Sequence, residues 1–542
     1  MAVIHQKDKR SGITYAYESI SYWDKEKRQS RAKRTLIGRV DPDSGKIVPT
    51  DGRMKKMNKS DLHPTPDKLG PTSRRSPVPA KECKRLFAGA TYLFDRIGEA
   101  TGVTEDLKAS FPGLHEEMLS LSYYLALEPS SPLYRFKRWA TTHDHPCGRD
   151  IPSQRSSELL PLITEEGKMA FLRRQSRRRT EAEYLFYDST SISSYSEQLK
   201  QVKHGRNKAG DSLAQINLAL LLGQKSGLPA YYRKLPGNIT DVMQVEKLLP
   251  GIEYLDLKKV SLVMDRGFYS ENNVNAMFKR HYKFIIGAKI GLKFIQERLK
   301  TERNDFDRRE HYNSETGLYI MTTPMEWNYQ ETRPRSGERV EKKRRMYMHI
   351  YYNDQRAADE KLRFNKMLDS LEEEIITGER KAAREKLYQQ YYKITATPAR
   401  GVKVTPKQSA IEAARKNFGF FALLSNGVKD PAEALRLYRS KDLIEKAFSD
   451  LKGRLNMRRT SVSSEENLEG KLFLQFVALI YLSYVKLAMD THSLFKNYTI
   501  QELFDELDVI EKYQQPGSAA YYGEITKKQK ALYVSLGVEP PA

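Results

Sequence analysis

Two short apolar runs, each closed by an aspartate, constrain the fold of this chain more than any other feature. Residues 260–264, Val-Ser-Leu-Val-Met, have the composition of a strand buried on both faces, and Asp265 follows them. Residues 184–187, Tyr-Leu-Phe-Tyr, are followed in the same way by Asp188. Aspartate is a poor strand former, so one at each strand end points both carboxylates into the crevice where open α/β sheets place their ligands. Taken singly, either residue reads better as the start of a turn; a third carboxylate, below, tips the pair toward a site. Around them, strands at 214–222 and 230–235 are joined by a hairpin-like Gly223-Gln224-Lys225-Ser226-Gly227-Leu228-Pro229. Pro236-Gly237-Asn238-Ile239-Thr240-Asp241 then turns into a helix capped by Thr240 or Asp241. A helix near 271–280 and a strand at 283–287 complete the order strand, hairpin, helix, strand, helix, strand, which predicts an α/β core with a mixed sheet flanked by helices.

The third carboxylate stands on a predicted helix. Each residue of an ideal helix turns by about 100°, so Tyr438, Lys441, Glu445 and Lys452 fall within roughly 60° of one another. Leu443, Ile444, Ala447, Phe448, Leu451 and Leu455 form an apolar stripe beside them, which leaves Glu445 at the edge of the core. A solvated charged face is the ordinary reading of such a stripe, and the two aspartates are what argue for a site. Three carboxylates fit one chemistry well. Phosphodiesters resist attack because nucleophile and phosphate are both electron-rich, and two divalent ions about 3.5–4 Å apart remove that obstacle. Mg²⁺ keeps several waters and is held by a few carboxylates, so Asp188, Asp265 and Glu445 suffice for the task. The sequence holds no G-x-S-x-G elbow and no convincing Cys/His pair. It also lacks a G-x-x-x-x-G-K-[ST] loop, which argues against an ATP-driven motor and against a nucleotide cofactor.

Charge names the partner. Lys and Arg number 92 against 69 Asp and Glu, a formal +23 over 542 residues, and a compact body offsets such a charge with a polyanion. Double-stranded DNA is the expected partner and a membrane is not. The longest apolar run, 472–485, is interrupted by Gln475 and Ser483 and is shorter than the ~20 residues of a spanning helix, so it reads as a buried core helix. The first twenty residues are charged throughout, without an apolar signal region. Cys83 and Cys147 are too few for a disulfide framework, and a cytoplasmic location is expected.

Tyr187-Asp188-Ser189-Thr190, the segment from His204-Gly205-Arg206-Asn207-Lys208 through the Pro236–Asp241 turn, Met264-Asp265-Arg266-Gly267-Phe268-Tyr269, and Tyr438-x2-Lys441-x3-Glu445-x6-Lys452 together resemble bacterial insertion-sequence DDE transposases. The subgroup is the one with the Y-R-E-K signature, the insertion-sequence four superfamily. The resemblance implies a ribonuclease-H-like catalytic core, two Mg²⁺ or Mn²⁺ ions, and cut-and-paste movement of an element bounded by terminal inverted repeats, with a homodimer on the DNA and a nucleoid-associated bacterial location. It assigns Asp188, Asp265 and Glu445 to the metals and Tyr438 and Lys452 to DNA phosphates. Lys441, also a candidate for binding a DNA phosphate, stands where the family has arginine, which keeps the charge but loses the bidentate fork and so changes the phosphate grip. A metal-dependent nuclease without strand transfer and a non-catalytic DNA-binding relative are the alternatives.

The domain reading follows from composition and spacing. Residues 1–58 form a basic β-rich module, with a turn at Asp41-Pro42-Asp43-Ser44-Gly45, and 59–80 a linker rich in proline. Residues 81–180 are helical, from Leu86 onward, and either present a helix to DNA or act as a spacer. Within them Arg173, Arg174, Arg177, Arg178 and Arg179 are candidates for phosphate contact, with a solvated helix face as the alternative. His143-Asp144-His145-Pro146-Cys147 lacks a second ligand pair at finger-like spacing and reads as a loop rather than a zinc site. Residues 181–289 and 406–460 make up the catalytic core. The interval between Asp265 and Glu445 far exceeds the ~30 residues of a whole βαβ unit, so 290–405 is an insertion with its own strands, a basic run at Lys342-Lys343-Arg344-Arg345 and long charged helices. In relatives with this signature an aromatic residue of the insertion holds a flipped base; Trp327 is the candidate here, with packing in the insertion's core as the alternative reading. Residues 461–542 are expected to form a C-terminal helical region, loop-like from Gln514.

Overall fold

A computed structural model describes residues 2–9, 12–24, 29–42, 44–48, 83–179, 182–208, 210–257, 259–332, 338–397 and 401–542. The chain divides into two units, Met1–Pro77 and Val78–Ala542. The first holds a four-stranded antiparallel sheet of β1 (Ala2–Lys7), β2 (Thr14–Asp24), β3 (Gln29–Val40) and β4 (Ile47–Val48). Its last hairpin closes at the expected turn, where the Asp41 amide donates to the Lys46 carbonyl and Gly45 takes a φ of 65°. The linker expected at 59–80 lies outside the described residues.

The second unit opens with β5 (Lys84–Phe87) and six helices: α1 (Gly89–Thr101), α2 (Val103–Ser110), α3 (His115–Leu127), α4 (Phe136–Ala140), α5 (Ser153–Leu159) and α6 (Glu165–Arg178). The helical pattern begins three residues later than expected, because Lys84–Phe87 pair as a strand with residues 511–514. The His143–Cys147 segment is a loop. His143 stacks on Trp139 and pairs with Asp508 at 2.9 Å, and His145 lies 3.0 Å from the Ser120 hydroxyl.

The part of this unit that carries Asp188 and Asp265 is built on a nine-stranded mixed sheet. Its elements are β6 (Tyr184–Ser193), β7 (Gln215–Gly223), β8 (Pro229–Pro236), α7 (Asp241–Tyr254), β9 (Ser261–Met264), α8 (Glu271–Lys279), β10 (Lys283–Ala288), α9 (Lys293–Glu302), β11 (Tyr312–Asn313), β12 (Leu318–Thr332) and β13 (Arg339–Tyr352). The inserted lobe adds α10 (Asp354–Ile376), α11 (Glu385–Tyr391), β14 (Tyr392–Thr397), β15 (Gly401–Pro406) and α12 (Gln408–Arg415), after which β16 (Phe420–Ser425) returns to the sheet. The strand order is β11-β12-β13-β16-β10-β9-β6-β7-β8, with β10, β9 and β6 parallel to one another. β7 is buried at every position, so it is covered on both faces, as a continuous apolar run requires. On β8 the alternation shows which helices cover the sheet. Tyr231 lies under α7, where Gly251 leaves room for the ring, and Tyr232 meets Phe476 with ring centroids 4.9 Å apart.

The insertion differs from expectation. β12 and β13 pair along their full length, and β13 pairs with β16, so both strands widen the nine-stranded sheet instead of forming a separate β domain. Only the part after β13 has a core of its own, in which Leu368, Leu371, Ile375, Tyr388 and Ile411 are buried together.

The chain ends in α13 (Pro431–Arg439), α14 (Asp442–Lys452), α15 (Glu465–Thr491), α16 (Ile500–Asp508), β17 (Glu511–Gln514), β18 (Tyr521–Tyr522) and α17 (Lys527–Ser535). α15 contains the apolar run and, although long and apolar enough to cross a membrane, is largely buried as a core helix. It packs on α3, while α16 packs on α1 and β17 pairs with β5. The two ends of this unit, read from the sequence as separate helical regions, therefore share one core.

Candidate active site

Strand register brings the two aspartates together. β6 and β9 run parallel with Tyr187 opposite Met264, so the next residues, Asp188 and Asp265, emerge at the same level on neighbouring strands. Asp188 is not at the end of its strand, as the sequence predicted. β6 continues to Ser193 because β7 pairs with it along Leu185–Ser193, and the neighbour that ends is β9. Above Met264 the sheet is therefore open on that side.

Asp265 is tightly held. Its Oδ1 accepts from the Arg266 amide at 2.8 Å and from the Tyr438 hydroxyl, and lies 3.3 Å from the Lys441 ammonium. Burial pushes this carboxyl up, but the Tyr438 hydrogen bond, the Lys441 charge and the Arg266 amide outweigh it and hold the group below the usual aspartate range. Tyr438 reaches it over Gly287 of β10, where a Cβ would stand 2.8 Å from the phenol oxygen. Burial and the neighbouring Asp265 raise the phenol well above its ordinary value, so it acts as a donor and not as a phenolate. Asp188 behaves oppositely. Burial raises its carboxyl above the usual range, the nearby Asp265 adds to this, and Lys208 at 3.8 Å and the Ser189 amide offset only part of it.

Glu445 arrives on α14, whose Ile444, Ala447, Phe448 and Leu451 are buried as the apolar stripe predicted. The expected continuous helix is broken, however. α13 stops at Arg439 and α14 starts at Asp442, with the Ser440 hydroxyl bonded back to the Arg436 carbonyl at 2.8 Å, a contact that competes with helix continuation. Tyr438 thus sits on α13, Lys441 at the N-cap position of α14, and Glu445 one turn inside α14. Lys441 links the carboxylates, with its ammonium 3.3 Å from Asp265 and 4.0 Å from Glu445. Lys452, at the far end of α14, is half-buried, and its ammonium is pushed down by burial and then by Lys208 and Arg458, which places it in the same basic cluster.

The donor set suits hard divalent cations. All three candidate ligands are carboxylates, and among the described residues no hydrogen bond is donated to Oδ2 of Asp188 or of Asp265. No three His, Cys, Asp or Glu side chains among the described residues close into a metal-binding group, and here lysine ammoniums stand between the carboxylates.

The remaining sequence candidates are placed elsewhere. Arg178 is bonded to Asp106 through two nitrogens and also reaches Glu105, while Arg179 binds Glu183 and the carbonyls of Leu228 and Pro229. Arg178 fastens α6 to α2 within the helical body, Arg179 fastens the end of α6 to the β7–β8 connection, and both are spent internally. Arg173 lies 3.8 Å from Asp256 and over the Tyr254 ring, whereas Arg174 and Arg177 are exposed without an ion pair among the described residues. Arg177 and Arg179 line a cavity with Leu185, Asp256 and Val260, at the strand ends opposite the carboxylates. Trp327 is 8% exposed, donates to Asn275 at 2.7 Å and meets Phe294 edge-on. Its ring is committed to the core and cannot receive a base without repacking. Residues that sequence reasoning left unassigned join the site instead: Lys208 and Asp241 are 3.2 Å apart and both border Asp188 through Ser189. Their signal was their presence in the quoted motif segment, where Asp241 read as a helix cap.

No curated protein matches the chain. Among solved structures it is similar to a piggyBac transposase in a synaptic complex with hairpin DNA, at 12% identity and a TM-score of 0.35 over 76% of this chain and 70% of that one, a likeness too distant to carry any residue's role. Residues 179–481, more than half of the sequence, match the transposase DDE domain family. That span contains Asp188, Asp265 and Glu445, and the chain belongs to the transposase DDE domain family.

Proposed function

We propose that this protein is a DDE transposase of the Y-R-E-K type, with a ribonuclease-H-like core that cuts DNA at terminal inverted repeats and joins the freed ends to a target. The observation that carries the reading is the level placement of Asp188 and Asp265 on adjacent parallel strands, with Lys441 in contact with both Asp265 and Glu445. Asp188, Asp265 and Glu445 would hold two Mg²⁺ or Mn²⁺ ions. Such ions, when bound, lower the pKa of the attacking water or hydroxyl and neutralise the leaving oxygen.

The protein's own groups do the rest. Tyr438 and the Arg266 amide fix the Asp265 carboxylate through Oδ1, which leaves Oδ2 as the oxygen for a cation. Lys441 balances charge between Asp265 and Glu445 and does so as a point charge rather than the bidentate fork an arginine supplies. Lys452 neutralises a phosphate of the element end, helped by the exposed Arg174 and Arg177 only where DNA reaches the opposite strand ends. A homodimer would hold both ends of the element at once, and the site of action is the bacterial nucleoid.

The test is a strand-transfer assay with a duplex carrying a pre-cut element end, the end being taken from imperfect inverted repeats flanking the gene. Joined product in Mg²⁺ or Mn²⁺, lost in Asp188→Asn with end binding retained, is the expected result. Hydrolysis without joining would identify a nuclease instead. Binding without cleavage by the wild-type chain would identify a non-catalytic DNA-binding protein.

A further inference from the structure

The loop between β6 and β7 carries a lysine into the carboxylate cluster, and the loop is fastened so that it arrives there. The Asn207 side chain donates to Asp211 at 2.6 Å and to the Ser193 hydroxyl at 3.0 Å, and the Lys208 amide donates to the Ser191 hydroxyl at 3.1 Å. Arg459, from the segment after α14, closes on Asp211 at 2.6 Å. Two contacts at alternate residues of β6, Ser191 and Ser193, thus fix the chain at Asn207 and Lys208. Its ammonium then donates to the Ser189 carbonyl at 2.9 Å and the Ser189 hydroxyl at 3.0 Å, pairs with Asp241 at 3.2 Å and stands 3.8 Å from Asp188. The Phe268 ring lies beneath it at 5.7 Å. Asp241 is held in turn by the Ser189 hydroxyl at 3.3 Å and by Gln244 at 3.2 Å.

We propose that Lys208, anchored by Asp241, is a positioning residue for Asp188 and the resident counterion that a divalent ion must compete with at that carboxylate. The proposal rests on the reading of Asp188 as a metal ligand. An ammonium near an anionic ligand opposes a second cation there, and the opposition is stronger in a partly buried cleft than in water. Asp241 determines how much of the Lys208 charge falls on Asp188, because it neutralises the ammonium from the other side. The two residues therefore act on ion affinity with opposite signs.

Mn²⁺ binding to the full chain without DNA, followed by calorimetry, tests this, with thermal unfolding in EDTA measured alongside. Lys208→Met should tighten Mn²⁺ by about threefold or more, and Asp241→Asn should weaken it by about as much. Lys208→Arg, which keeps the charge, should stay within about twofold of wild type. Lys208→Met should nevertheless slow DNA cleavage at saturating Mn²⁺, because Asp188 has lost the group that fixes it. A fall in Mn²⁺ affinity in both Lys208→Met and Asp241→Asn, in step with a lower unfolding temperature, would reduce the pair to a structural role and overturn the proposal, and so would unchanged affinity in both. If the wild-type chain binds no Mn²⁺, the metal reading of Asp188 fails first, which separates the two failures.

Discussion

Asp188 and Asp265 are placed by strand register, whereas Glu445 is placed by a helix whose link to that pair, among the described residues, is the Lys441 ammonium. The two halves of the site therefore differ in stiffness and in legibility. Hydrogen bonds on both sides of β6 and β9 set the aspartates, and no side-chain rotamer can shift their level. Glu445 projects from a surface helix and is more than half exposed, so its approach depends on how α14 sits and on what charge lies between it and Asp265. Rigid placement of two ligands with adjustable placement of the third is an arrangement that can admit a cation and then close on it.

Substitutions that remove one half or the other sharpen this contrast. The largest effect belongs to the sheet: Asp188→Asn should reduce cleavage by on the order of a thousandfold, given that Lewis-acid stabilisation supplies several kcal/mol and each 1.36 kcal/mol is tenfold. End binding in a gel-shift assay should persist. Next comes the link. Lys441→Ala should lower cleavage by about 10–100-fold, as loss of a group that orients a metal ligand does, and Lys441→Arg should recover most of it. An unaffected Lys441→Ala enzyme would mean that Glu445 is held independently and the contrast is false.

A smaller effect distinguishes the two aspartates from each other. Asp188 has its carboxyl raised in the folded state, so folding is opposed by ionising it, and this cost appears as pH rises from the ordinary aspartate range through the raised value. Asp265 is lowered, so it contributes stability above the ordinary range that is lost as pH falls through its folded value. In EDTA at pH 7, Asp188→Asn should raise the unfolding temperature and Asp265→Asn should lower it, by differential scanning calorimetry. Shifts of the same sign would contradict the burial and hydrogen-bonding account of the pair. The smallest effect lies away from both halves. Trp327→Phe removes the hydrogen bond to Asn275 and should cost about 1 kcal/mol of stability in denaturant unfolding, with cleavage unchanged.

The sheet half was readable because its signals are local. Apolar runs bounded by aspartates at 184–188 and 260–265 announce buried strands and the residues just past them, and the apolar stripe of α14 announces its buried face. What failed was non-local. Nothing in 184–187 says that β6 runs on through Asp188, because the pairing partner that extends it, β7, lies a loop away. The strands at 318–332 and 339–352 look like those of an independent insertion, and only their pairing to β16 assigns them to the catalytic sheet. Arg178 and Arg179 are as basic as their neighbours, and Asp106 and Glu183 decide that they are structural. One miss had a local signal: α17 opens with Thr526 and Gln529 in a capping box, a pattern that marks a helix start in the tail read as loop.

Thiol substitution at Glu445 tests the convergence of the three carboxylates most directly. A thiolate is a poor ligand for Mg²⁺ and a better one for Mn²⁺, so Glu445→Cys should be inactive on a DNA end in Mg²⁺ and regain cleavage in Mn²⁺. Equal activity of Glu445→Cys in the two ions, or none in either while end binding and folding are intact, would show that Glu445 does not share metal with Asp188 and Asp265.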